Sequence, residues 1–127
     1  MAGSLPRPTD SELAILRVLW EHGPSTVRHV HGVLAGTRET GYTTTLKLMQ
    51  IMAEKGLVTR DESARTHVYA ARLTQDQTQR QLVADLLDRA FGGRSAALVM
   101  HALSAQPASP DELQEIRKLI EQHKQTS

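Results

Sequence analysis

Apolar residues recur at helical spacing in six places along the chain, and the pattern lapses once, between residues 57 and 72. Thr9 with Glu12 three residues later forms a capping box. Leu13, Leu16, Val18, Leu19 and Trp20 then line one face of a helix that runs to about His22. "HGPST" breaks the chain. Ser25 is placed to cap a second helix with Val27, Val30, Val33 and Leu34 inward, ending near Gly36. After the turn "GTRET", a third helix spans roughly Thr43 to Lys55 and is closed by Gly56. The period then changes. "LVTRD" and "THVYAAR", separated by "ESAR", are short runs rich in β-branched residues and predict a β-hairpin with a polar tip. Helical spacing returns with the capping box Thr74–Gln77 and the stripe Leu82, Val83, Leu86, Leu87, Ala90 and Phe91. Two glycines at 92–93 break it, and Arg94 to Ser104 is a short, mostly apolar helix. Ser109, Pro110 and Glu112 start a last helix, with Leu113, Ile116, Leu119 and Ile120 on one side.

Three helices, a hairpin and three more helices make the fold mainly α with a small β-hairpin. The first five elements follow the plan of a winged helix-turn-helix. The expected organisation is a loose arm at 1–8, a winged-helix DNA-binding domain at 9–72 and a helical dimerisation domain at 73–127. The apolar set Leu82, Leu86, Phe91, Leu98, Leu103, Leu113, Ile116, Leu119 and Ile120 suits an internal core or a seam between two chains. Three short helices below about 60 residues make a weak autonomous core, which favours the seam.

The third helix divides by face. On a helical wheel Thr45, Leu48, Met49 and Met52 fall within about 100° of one another and form the core side. Thr43, Thr44, Lys47, Gln50 and Glu54 lie opposite, with Ile51 on the flank. Threonine is a mediocre helix former, so three in a row at a helix start ask for a reason. In a winged helix this element enters the major groove, about 12 Å wide, N-terminus first. Hydroxyls and free backbone N–H groups there meet phosphate oxygens, and Lys47 and Gln50 reach base edges one turn deeper. Arg60 and Arg65 would flank the duplex from the hairpin. The alternative is a threonine-capped surface helix beside solvated arginines.

Composition narrows the choice mainly by exclusion. The 127 residues include no cysteine, so there is no disulfide, thiolate metal site or cysteine nucleophile, and a cytoplasmic location is expected. No apolar run approaches membrane-span length, and "MAGSLPRP" lacks a signal-peptide core. Net charge is +1. Residues 1–72 hold nine Lys/Arg against seven Asp/Glu, and 73–127 hold six against seven, a mild basic bias toward the first part. His29 and His31, two apart on a helix, point in roughly opposite directions and cannot chelate one ion together. His22 and His67 could meet only through folding. No metal site, cofactor or catalytic residue is expected. There is no Gly-rich phosphate loop, no HExxH and no serine–histidine–acid setting. Asp85 and Asp88 on the fourth helix suit a solvated face. A helical protein-interaction module and a metal-responsive regulator remain as alternatives.

Four stretches carry a resemblance. "PTDSELAILRVLW" (8–20) matches a pattern LTxxE-x-x-IL-x-x-LW. "GPSTVRHVHGVL" (23–34), "YTTTLKLMQIMAEKGLV" (42–58) and "ARTHVYAA" (64–71) follow in order and spacing. Together they resemble the penicillinase-repressor family of bacterial transcription factors (BlaI/MecI/CopY type), strongly over 8–72 and more weakly over 73–123. The resemblance implies a homodimeric repressor on a palindromic double-stranded DNA operator, without membrane insertion. In several members a membrane sensor metalloprotease cleaves the C-terminal domain and releases the DNA. This chain departs from the family in three places. Ile51 stands where an arginine is common, the cysteine cluster of the copper-sensing branch is missing, and His101–Ala102 aligns with the Asn–Phe bond cleaved in the β-lactam branch.

Overall fold

The structure, a computed structural model, describes residues 5–37 and 39–126. Half of the expected N-terminal arm, residues 1–4, and one residue of the "GTRET" turn, Arg38, therefore lie outside the described residues. The described elements run α1 (Asp10–His22), α2 (Val27–Leu34), α3 (Tyr42–Lys55), β1 (Val58–Asp61), β2 (Val68–Ala71), α4 (Gln75–Phe91), α5 (Ser95–Ala105) and α6 (Pro110–Thr126). Packing divides the chain into two units, with the division between Val83 and Ala84, inside α4.

The first unit is built around α1, α2, α3 and the hairpin. The predicted capping box opens α1, with the Glu12 N–H donating to the Thr9 hydroxyl at 3.2 Å and the Thr9 N–H to Glu12 Oε1 at 2.9 Å. Ile15, Leu16 and Leu19 of α1, Val30 of α2, and Met49 and Met52 of α3 meet in a common core with Leu57, Val58 and Tyr69. Full burial of each such side chain is worth about 1.5–3 kcal/mol.

One cap differs from expectation. Thr26, not Ser25, caps α2, accepting from the His29 N–H at 3.1 Å. Ser25 is committed elsewhere. Its N–H and C=O pair with the Tyr69 C=O and N–H at 2.9 and 2.8 Å, adding one bridge to the edge of the hairpin. Its hydroxyl turns back to the Gly23 carbonyl at 2.8 Å. A pairing 44 residues away thus moves the cap forward by one position.

The end of α3 is set by Gly56, whose φ of 84° lies in the left-handed region that a side chain disfavours. The Leu57 N–H then reaches the Met52 carbonyl at 2.9 Å, and the chain turns into β1. The hairpin is antiparallel, with Arg60 opposite Tyr69 and Val58 opposite Ala71. At its tip Asp61 accepts from the Ser63 N–H at 2.9 Å. Ser63, side chain first and then backbone, holds the Asp61 carboxyl below its usual value.

Packing of the first unit continues past residue 72. Leu73 and Thr78 are buried, and the Trp20 indole N–H donates to the Leu73 carbonyl at 3.0 Å. The first turns of α4, opened by the predicted Thr74–Gln77 box, therefore belong with the winged part, and the compact division falls later than 72/73. Leu5 also joins this unit through its carbonyl, which accepts from the Gln81 amide at 2.7 Å.

In the second unit, α4 ends at the paired glycines 92 and 93, both at positive φ, with the Gly93 N–H closing on the Leu87 carbonyl at 2.9 Å. Ser109 and Glu112 form the third predicted capping box, at the start of α6. Phe91 packs beside the His101 ring at 5.6 Å between centroids. Neither α5 nor α6 has a buried residue among those described.

Candidate nucleic-acid interface

Helix α3 presents the two faces expected of it. Thr45, Met49 and Met52 are fully buried, and Leu48 is half-buried against the same core. Thr43, Thr44, Lys47 and Gln50 are all exposed together on the other side, with Glu54 beyond them and Ile51 half-buried on the flank. Thr45 keeps its hydroxyl satisfied inside the core by donating to the Gly41 carbonyl at 3.2 Å. A buried hydroxyl without a partner would cost about 1–3 kcal/mol.

The start of α3 is left open. Its cap residue is Gly41, which offers no side chain, and the first intrahelical bond is made by the Thr45 N–H. The N–H groups of Tyr42, Thr43 and Thr44 therefore have no side-chain cap, and they sit at the positive end of the helix dipole. No acidic residue occupies the first turn. Such an end suits an anion.

Beside it lies an open cleft of about 350 Å³ between the N-terminus of α2, α3 and the hairpin. Arg28 contributes from α2, Tyr42 and Gln50 from α3, and Arg60, Arg65 and His67 from the hairpin. Arg60 sits on β1 rather than at the tip, and Glu62 engages it at 2.9 Å. The Tyr69 hydroxyl first, and then the Glu62 carboxylate, favour its charged form. Arg65 lies in the loop between the strands. Gln50 and Arg60 also border a neighbouring depression with Ala53 and Glu54.

The six expected DNA-side residues thus fall on one side of the first unit. Thr43, Thr44, Lys47 and Gln50 share the outer face of α3, while Arg60 and Arg65 meet Gln50 at the cleft. Sequence reasoning missed Arg28, Tyr42 and His67 as members of this surface. A usable signal for Arg28 was its place two residues after the α2 cap, in the first turn of a helix that carries no acidic residue there. Nothing local marked His67.

The far end of α3 is anchored. Glu12 Oε1 accepts from both the Thr9 N–H and Lys55 Nζ, the latter at 2.7 Å. Burial is the largest influence on this carboxyl and opposes its charge. The Lys55 ammonium and the Thr9 donors together outweigh burial and hold its pKa below the usual value. Arg72 adds a second cation at this end, donating to the Gly56 carbonyl at 3.1 Å.

The histidines do not converge. His22 and His29 meet edge to face at 5.2 Å, and His31 meets Tyr42 at 5.8 Å. Among the described residues no group of three His, Asp or Glu is arranged to hold a metal ion. No helix among them is long and apolar enough to cross a membrane.

The nine expected seam residues are all incompletely buried. Leu82, Phe91, Leu98, Leu103 and Ile116 are half-buried, whereas Leu86, Leu113, Leu119 and Ile120 are exposed.

Three helices followed by an antiparallel hairpin, with the third helix open at its start, define a winged-helix domain. The solution structure of the DNA-binding domain of the repressor BlaI is similar, with a TM-score of 0.51 at 22% identity over 57% of this chain and 88% of that one. A solution structure of monomeric Bacillus licheniformis BlaI with the blaP half-operator is equally similar, covering 57% of this chain and 89% of that one, again at TM-score 0.51 and 22% identity. The family model described as penicillinase repressor matches residues 8–122, and the chain belongs to that family. Transcriptional regulator BlaI of Mycobacterium tuberculosis is 39% identical over 98 residues, covering 75% of this chain and 71% of that protein. The penicillinase repressor of Bacillus licheniformis is 22% identical over 120 residues, covering 94% of each.

Proposed function

We propose that the chain is a transcriptional repressor that binds a palindromic operator as a homodimer. The observation that carries this reading is the uncapped start of α3, whose exposed Thr43, Thr44, Lys47 and Gln50 adjoin a cleft lined by three arginines. An element with a free N-terminus and a polar outer face fits the major groove, and arginines beside it fit the phosphates that flank that groove. The related BlaI solved with a half-operator supports the same use of the fold. Two half-sites about one or two helical turns apart would match a two-fold dimer.

The dimer would form through the apolar faces of the second unit. Release by a membrane sensor metalloprotease acting at His101–Ala102 would require α5 to open, because both residues lie inside that helix. The absence of a metalloprotease gene beside this one would instead favour another release signal.

Anisotropy titration with duplexes from upstream of its own gene tests the reading. Saturable binding that discriminates against scrambled duplexes is expected. Sequence-independent binding, or none at low salt, would remove the repressor assignment and leave an interaction module. Lys47→Ala should weaken operator binding by about 1–3 kcal/mol if the lysine reads a base. An unchanged affinity would assign base reading to other positions of α3.

A further inference from the structure

The cleft joins two cations that the sequence separates widely. Arg28 comes from the first turn of α2 and Arg65 from the hairpin loop, 37 positions later. Among the described residues neither guanidinium is engaged in an ion pair or a hydrogen bond. Arg60 differs, since Glu62 and Tyr69 hold it in place. The described residues that line the cleft include no Asp or Glu, and around the two free guanidiniums they offer the donors of Thr26, Tyr42, Thr66 and Gln50.

Two unpaired guanidiniums beside hydroxyl and amide donors form a receptor for a tetrahedral oxyanion, because each guanidinium presents its N–H groups in a fork that matches phosphate oxygens. A deep apolar metabolite finds little here. The cleft is open, and polar groups from three separate elements dominate its rim.

We propose that this cleft seats a single phosphate group, held jointly by Arg28 and Arg65, and that a strand of the bound duplex supplies it. This inference rests on the DNA-binding reading and adds to it a particular contact, in which α2 and the hairpin loop clamp one phosphate while α3 reads the groove. Joint tenancy has a measurable consequence. The salt dependence of binding counts phosphates neutralised, so two arginines on one phosphate should not count as two.

The experiment uses the full chain, Arg28→Gln, Arg65→Gln and the double variant, each checked for an unchanged thermal melt. Affinity is measured against salt concentration on one duplex. It is also measured on a series of that duplex in which single phosphates are replaced by neutral methylphosphonates. The double variant should lower the salt slope by about one unit, not two. One methylphosphonate position should weaken the unaltered chain and have no further effect on the double variant. A slope loss of about two units, with two separate sensitive positions, would overturn the shared seat. So would an Arg28→Gln variant that binds like the unaltered chain.

Pyrophosphate titrated into the DNA-free protein distinguishes the source. Saturable binding that is abolished by Arg28→Gln and leaves duplex affinity unchanged would assign the cleft to a free phosphate-bearing ligand and overturn DNA as the supplier, whereas binding that competes with duplex supports the shared seat. If the unaltered chain binds no duplex, the repressor reading fails by itself. The pyrophosphate arm then decides the cleft alone, and no binding there overturns the seat as well.

Discussion

The two units of this chain solve the same problem differently. The first closes an apolar core over α1, α2, α3 and the hairpin, with Ile15, Leu16, Met49, Met52, Leu57 and Tyr69 all at 1% exposure or less. The second has three helical segments with apolar faces, and Leu119, Ile120 and Met100 remain 54%, 50% and 67% exposed. Hydrophobic content does not explain the contrast, since α5 is the most apolar helix of the chain. What differs is geometry. The first unit wraps helices around a hairpin that closes one side, whereas the second has too few elements to cover its own apolar faces. A single helix burying a stripe needs something opposite it. Exposed apolar side chains on several helices suit an interaction surface, and in the dimer proposed above a second copy of the same unit would cover them.

That contrast can be broken most directly in the first unit. Leu16→Ala should cost about 2–5 kcal/mol by urea denaturation, with a loss that does not depend on protein concentration. If the loss shrinks as concentration rises, the first unit also draws its stability from association. Leu86→Asp tests the other side. A charge stranded in an apolar seam should weaken self-association at least 100-fold, about 3 kcal/mol, while the melt of the first unit stays in place. Sedimentation that still reports a dimer would move the seam away from α4.

A smaller effect is expected at the anchor between α1 and α3. Glu12→Gln removes the buried partner of Lys55 and should cost about 1–3 kcal/mol. The pH dependence has a definite sign. The folded pKa of Glu12 lies below its unfolded value, so the folded state binds fewer protons. The contribution is fully present above the unfolded value, near 4.5, and is lost as pH falls through the lower folded value. Stability of the unaltered chain and of Glu12→Gln should therefore converge on acidification below that window. Parallel curves would mean that the carboxylate charge contributes nothing. The smallest effect expected is at the α2 cap. Thr26→Ala should cost about 1 kcal/mol, whereas Ser25→Ala should cost less, since Ser25 pairs with Tyr69 through its backbone. Equal costs would mean that the hydroxyl of Ser25 matters as much as that of Thr26.

Much of this architecture was legible in order along the chain. Three capping boxes, Thr9–Glu12, Thr74–Gln77 and Ser109–Glu112, form as written because each needs only four consecutive residues. The left-handed stop at Gly56 and the division of Thr43–Thr45 into two outward hydroxyls and one inward also follow from local period. These features depend on backbone geometry within one or two turns, and no distant partner competes with them.

The remainder depended on the meeting of distant segments. Tyr69 drew Ser25 into a bridge and passed the cap to Thr26. Glu62 and Tyr69 claimed Arg60, while Arg65 from the same hairpin has no ion-pair partner among the described residues and lines the cleft with Arg28. Packing of Leu73 and Thr78 carried the first unit into α4. Sequence alone determined which residues form helices, which faces are apolar and, α2 apart, where the capped helices begin, because those choices are set by periods of a few residues. Only the tertiary structure decided which cations are free and which surfaces stay uncovered. Both depend on the partner that a group finds across the fold, and no local period encodes that partner.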